Sequence, residues 1–189
     1  LRDGIKWSNG DPVTAKDFKA GWLRALNPAT AASNANMLFV IKNGEKYNAK
    51  KASAEEVGIK AVDDKTLEVT LEAPVSYFDD LVTFKAYMPL NEKYYNQVKD
   101  KYFSEAKYTI AVGPYTLDDW THNSELRLKK NPNYWDAANV KTENVVLKMI
   151  DSNSSVNAFK NDEVDVTPVT FEQAKEFNGK PELVTAKDG

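Results

Sequence analysis

A chain of 189 residues is long enough to bury a sizeable core, and the usual size relation gives it one domain or two small ones. Hydrophobic residues at 42% and charged residues at 28% are ordinary for a globular protein, while a net charge of −3 without a long basic run argues against a nucleic-acid partner. With no cysteine and a single histidine, His122, disulfide frameworks, thiolate metal sites, cysteine nucleophiles and histidine metal clusters are all excluded.

The chain opens on Leu1-Arg2-Asp3 without an initiator Met or a signal-peptide pattern, and carries no apolar stretch of membrane length. It reads as an internal piece of something longer, whose targeting segment would lie upstream. Ile5 and Trp7 flank Lys6 with strand period, and Ser8-Asn9-Gly10-Asp11-Pro12 supplies a tight turn. Thr14 and Asp17 have capping-box spacing, and Phe18, Trp22 and Leu26 give the following helix an apolar stripe that Asn27-Pro28 ends.

Ala31 to Lys42 is predicted as a second helix, stopped by Asn43-Gly44. Ile59, Ala61, Leu67, Val69 and Leu71 alternate around Asp63-Asp64-Lys65, a hairpin pattern closed by Pro74. "VSYFDDLV" is read as a short helix turning Tyr77, Phe78 and Leu81 inward, and residues 91 to 102 as a helix with Tyr94, Tyr95, Val98 and Tyr102 near one face. Beyond Glu105 the expected order is strands at 113–119, 124–130 and 144–150, a helix at 153–160, a strand at 163–167 and a helix from Phe171 to Phe177. The strand–helix–strand run from 144 to 167 predicts an α/β sheet, with a domain junction near 104–112.

Catalytic chemistry is poorly represented. His122 sits in a polar turn, no G-x-S-x-G elbow occurs, and no nucleophile, base and orienter can be assembled. The pairs Asp63-Asp64, Asp79-Asp80 and Asp118-Asp119 lie in or beside turns and read as solvated faces, and helix capping accounts for Asp151 and Ser152. Four Trp, nine Tyr and eight Phe supply contact area with polar handles, though Phe18, Trp22, Tyr77 and Phe78 sit on helical faces and are assigned to the core. "VGPY" at 112–115 is either a plain strand start or a cleft element, since Gly113 permits close backbone approach and Pro114 stiffens the proposed junction. "KKNPNYWD" at 129–136 reads as a loop that tucks Tyr134 and Trp135 onto the sheet, bracketed by Asn133 and Asp136.

Taken in order, "LRDGIKWSNGDPVTAKDF", "VDDKTLEVTLEAPVSYF", "VGPYTLDDW", "LKKNPNYWD" and "FKNDEVDV" resemble the extracellular solute-binding proteins of oligopeptide and dipeptide ABC importers, from Leu1 to about Val169. The resemblance implies an α/β fold: part of a periplasmic-binding-protein-like lobe plus a smaller α+β lobe, here 106–189 and 1–105 respectively. It makes the opening motif a scaffold joint and implies two lobes that close over an extended peptide. Ligand-binding positions carried over are Phe84, before Met88-Pro89, together with Gly113 and Tyr115 of the "GPY" crossing. Phe84 stands where some relatives have a polar residue, implying an apolar side-chain pocket.

Further implications are delivery to permease subunits, an extracellular or periplasmic location with a lipid anchor outside these residues, a monomeric state, no cofactor and no catalysed reaction. The same family includes receptors for sugars, nickel complexes, haem and signalling peptides, so a same-fold receptor for another solute stays open. Two further alternatives are a hydrolase using a carboxylate pair and an interaction domain without a ligand cleft.

Overall fold

The structure, a computed structural model, describes residues 1–185. Two compact units divide the chain: the first takes Leu1–Trp120 and Arg127–Val145, the second Thr121–Leu126 and the residues from Val146 onward.

The first unit is built on helix α1 (Ala15–Leu26). Its start is set by Thr14, whose backbone N–H donates to Asp17 Oδ2 at 2.8 Å in a capping box, as the spacing predicts. Trp22 and Leu26 are buried and Phe18 packs beside them, so the four-residue stripe faces the core. At the far end Asn27 adopts an extended conformation before Pro28, which cannot continue the helix.

Ahead of α1, the expected strand at Ile5–Trp7 is reduced to one bridge, Lys6 to Pro12, because the turn at 8–11 folds the chain straight back on itself. Gly10, at φ 89°, gives that turn its left-handed residue.

The helix expected over 31–42 does not form. Ala31 has φ 49°, and only a single 3₁₀ turn, Ala35–Leu38, follows. The backbone there bonds elsewhere: Lys42 N–H donates to Thr70 O, Glu72 N–H to Val40 O, and Ile41 bridges Leu71. Pairing with the hairpin's flank has outcompeted local helix formation, helped by Ser33, Asn34 and Asn36, which are weak helix formers. Asn43 is left-handed at φ 58°, but it precedes a new short helix, α2 (Gly44–Asn48), instead of ending one.

Strands β1 (Ile59–Ala61) and β2 (Leu67–Val69) form the predicted antiparallel hairpin, with Ile59 opposite Val69 and Ala61 opposite Leu67. Asp63 Oδ1 accepts from the backbone N–H groups of Lys65 and Thr66, which sets the turn.

The core gathers Trp22, Leu26, Leu38, Ile41, Val57, Ile59 and Tyr87. Tyr87, which lacks a periodic neighbour pattern, is 1% exposed at its centre, with its hydroxyl donating to Met37 O at 2.6 Å. Burial pushes that hydroxyl's pKa up to about 12. Helix α3 (Phe78–Leu81) places Phe78 and Leu81 against this core, but Tyr77 is 50% exposed. Tyr77 is the residue before the first turn and so does not follow the helical period that assigned it inward.

Asn91 caps α4 (Glu92–Val98), its Oδ1 accepting from Tyr94 N–H at 2.8 Å. The expected helix to 102 breaks at Lys99, φ 45°, yet Tyr94 and Tyr95 both meet Tyr102 edge-on. Strands β3 (Tyr115–Thr121), β4 (Glu125–Lys130) and β5 (Asn144–Lys148) lie in the order β3-β4-β5, within two residues of expectation at every end.

In the second unit, α5 (Ser152–Lys160) is capped by Asp151, which accepts from Asn153 and Ser154 N–H groups. The strand expected at 163–167 is absent: Asp162 turns at φ 58°, Glu163 N–H bonds back to Ala158 O, and Val166 is 85% exposed. Alternating residues alone make no strand without a partner, and none pairs with this segment among the described residues. Helix α6 (Phe171–Ala174), capped by Thr170, continues as a 3₁₀ turn that brings Phe177 against Phe159 at 6.1 Å.

Candidate functional site

Three of the motifs singled out in the sequence meet in space within the first unit. Ser8 N–H donates to Ala111 O at 2.7 Å, and Ser8 Oγ accepts from Ala111 N–H at 3.1 Å. Asn131 donates from its backbone to Pro114 O at 2.8 Å and from Nδ2 to Gly113 O at 2.9 Å. Asn133 completes the ring, its N–H donating to Asn131 Oδ1 at 3.0 Å and its Nδ2 to Ser8 O at 3.1 Å. The turn after Trp7, the Gly-Pro-Tyr segment and the Asn-Pro loop are therefore one hydrogen-bonded assembly.

The Asn-Pro loop was legible as a turn, but its buried member was not. Asn131 is fully buried, and nothing about an Asn before a Pro distinguishes a solvated turn from an internal brace. Tyr134 is half-buried, whereas Trp135 is 50% exposed with the Arg2 guanidinium 4.2 Å from its ring centre. The expected tucking of both rings thus fails for Trp135, which is capped by a cation instead of the sheet.

Beside this assembly lies a mostly apolar groove of about 360 Å³, with Arg24, Met88, Leu90, Tyr102, Phe103 and Ile110 among its walls. Helix α1 forms one wall at very close range. A Cβ on Gly21 would sit 2.6 Å from Met88 O, so only glycine lets the 88–90 segment approach. Arg24 lies 5.2 Å from the ring centre of Tyr95, and burial raises the Tyr102 hydroxyl to about 12, leaving it a neutral hydrogen-bonding group across physiological pH.

None of the residues expected to touch ligand is among the groove's lining, though Phe84 and Gly113 adjoin lining residues in sequence. Phe84, 37% exposed, immediately precedes Lys85 and Ala86, and Val112 lines it just before Gly113. Tyr115 begins β3, its hydroxyl donating to Thr142 O at 3.1 Å. Around Gly113 a Cβ would meet nothing within 4 Å, so the close backbone approach expected there does not occur in this structure.

Asp64 pairs with Lys16, Asp63 holds its turn, and Asp79, Asp80, Asp118, Asp119 and His122 are exposed. Among the described residues no group of three or more His, Asp or Glu could hold a metal ion.

The sequence matches the model of the bacterial extracellular solute-binding proteins, family 5 Middle, over residues 1–188. It is 40% identical over 173 residues to the dipeptide-binding protein DppE of Bacillus subtilis, a match covering 91% of this chain and 32% of that protein. It is also 36% identical over 176 residues to the probable deoxycholate-binding periplasmic protein YgiS of Escherichia coli, covering 92% and 33%. Listeria monocytogenes OppA bound to peptide has a similar structure, with a TM-score of 0.87 and 40% identity over 96% of this chain and 36% of that one. The chain spans about a third of the length of these relatives. Its fold is α/β, part of a periplasmic-binding-protein-like lobe with a smaller α+β lobe, and the chain belongs to the family 5 bacterial extracellular solute-binding proteins.

Proposed function

We propose that the protein is the substrate-binding component of an ABC importer, capturing extended oligopeptides between two lobes and delivering them to membrane permease subunits. The observation that carries this reading is the 40% identity to a dipeptide-binding protein and to a structure bound to peptide. Residues 1–105 would be the small lobe and 106–189 part of the main lobe. Phe84, Gly113 and Tyr115 would face the ligand, and the neighbouring groove would take an apolar side chain. Peptide backbone bonds of the strand-addition type would supply affinity, and roomy pockets would supply tolerance. The protein would act as a monomer outside the membrane, held by a lipid anchor, and catalyse nothing.

A second reading has its own observation. The relative named for deoxycholate shows that this sequence family is matched by a protein named for a non-peptide ligand, and an apolar groove with a guanidinium at its wall suits an apolar carboxylate. Calorimetric titration of the intact, ligand-stripped protein decides between them. Saturable heat with peptides of two to nine residues and none with deoxycholate supports the peptide receptor, and the reverse pattern replaces its substrate.

A further inference from the structure

Two properties of Gly113 leave the segment through it with little packing of its own at that residue. It has no side chain, and the space where a Cβ would stand is empty to 4 Å. Pro114 fixes its own φ but contributes no N–H, so the crossing's backbone cannot hold itself through a local donor there. Beyond the restriction that Pro114 places on Gly113 and the strand that begins at Tyr115, the segment is held by hydrogen bonds from outside. Ser8 grips Ala111 on one side of the glycine, while Asn131 grips the Gly113 and Pro114 carbonyls on the other.

Every polar group of Asn131 is committed. Its N–H and Nδ2 donate to two successive carbonyls, its Oδ1 accepts from Asn133, and its own carbonyl accepts from Tyr134 N–H at 3.1 Å. A fully buried amide is retained only at the cost of satisfying it in this way, and Pro132 restrains Asn131 to the extended backbone that aims it. The link through Asn133 to Ser8 closes the ring, so both grips on the crossing are tied to each other.

We infer that Asn131 is a positioning residue: it locks the swivel at Gly113 and so fixes the direction of Tyr115 relative to Val112 and the groove, holding the site in its ligand-accepting geometry. This rests on the proposed peptide reading only for the identity of the ligand. A protein whose competent state is fractionally populated binds more weakly by that fraction, so loosening the swivel lowers affinity without unfolding the protein.

The test uses the intact protein and its Asn131→Asp variant, with tri- to pentapeptides of alanine and phenylalanine as probes, well below the melting temperature. Asn131→Asp keeps the shape and the acceptor toward Asn133 but sets a carboxylate oxygen against the Gly113 carbonyl. Dissociation constants should rise by about tenfold or more, with amide exchange accelerated at Ala111, Tyr115 and Asn133 and unchanged at Trp22 and Tyr87. Tyr87→Phe, which weakens the core and leaves the ring intact, should lower stability and leave affinity unchanged. If Asn131→Asp fails to fold, Asn133→Ala breaks the tie to Ser8 and should show the same local pattern with a smaller affinity loss. Affinity within about twofold of wild type in a folded variant, or exchange raised evenly through the first unit, overturns the inference. Should the wild-type protein bind none of these peptides, the peptide reading fails, and the exchange pattern alone decides whether Asn131 locks the swivel.

Discussion

The indole N–H of Trp22 donates to the backbone carbonyl of Tyr87 at 2.7 Å, and the two rings meet edge to face with centroids 4.9 Å apart. This one relationship ties α1 to the segment that forms the groove's other wall. It also explains why a Tyr without periodic neighbours sits at the centre of the core.

Removing either half should therefore be felt. Trp22→Phe removes the donor and leaves a buried carbonyl unsatisfied as well as a small cavity, and should cost about 2–4 kcal/mol. Tyr87→Phe leaves the Met37 carbonyl without its partner and should cost about 1 kcal/mol. Urea unfolding of the intact protein, with an unchanged slope, checks both values.

Gly21→Ala tests the groove wall. Helix propensity alone would favour alanine by about 1 kcal/mol. The added Cβ would stand 2.6 Å from a backbone oxygen of Met88, so overpacking should prevail and the net loss should be about 1–3 kcal/mol. A stabilised Gly21→Ala protein would show that the helix and the 88–90 segment are not held in this contact.

Acid stability should depend on Asp11. Hydrogen bonds from Lys93 first, then Asn9 and Asn91, hold its carboxyl below the usual carboxylate value. Since the folded value lies below the unfolded one, its contribution is complete above pH about 4 and is lost as pH falls through the lowered folded value. The stability difference between wild type and Asp11→Asn should be greatest near neutrality and shrink below pH about 4 in acid-unfolding curves. A difference independent of pH would mean that the carboxylate's charge plays no part.

Phe84→Asp tests the apolar character of the proposed ligand side. Phe84 is partly exposed, so stability should change little, whereas affinity for peptides with apolar side chains should fall by about tenfold, or 1.4 kcal/mol. Equal affinity in both proteins, measured by titration, would remove Phe84 from the site.

How much of this was legible follows from the range of the forces involved. Helix α1, the Asp63 turn and the Asp151 cap were readable because each is made by residues within a few positions of one another. The failures come from partners distant in sequence. Residues 31–42 have helix-compatible spacing, but their backbone pairs with 70–72, and the alternation at 163–167 finds no neighbouring strand among the described residues. At the candidate site, the three motifs were visible only as separate segments, two of them turns and one a strand start or cleft element. Their union depends on Asn131 bonding across 18 positions and Asn133 across 125, which no local pattern encodes. Recognising the ordered motifs supplied the family, and the structure supplied the reason they belong together.

The most direct measurement is a thermal-shift comparison of the intact, ligand-stripped protein with the isolated 189-residue chain, against peptides of two to nine residues, sugars, metal chelates and deoxycholate. A ligand at one hundred times its dissociation constant adds about 2.7 kcal/mol of stability. Peptides should stabilise the intact protein, with little or no effect on the isolated chain, which spans about a third of its relatives. Peptide silence with a response to another solute would contradict the substrate, and micromolar peptide binding by the isolated chain would contradict the two-lobed capture.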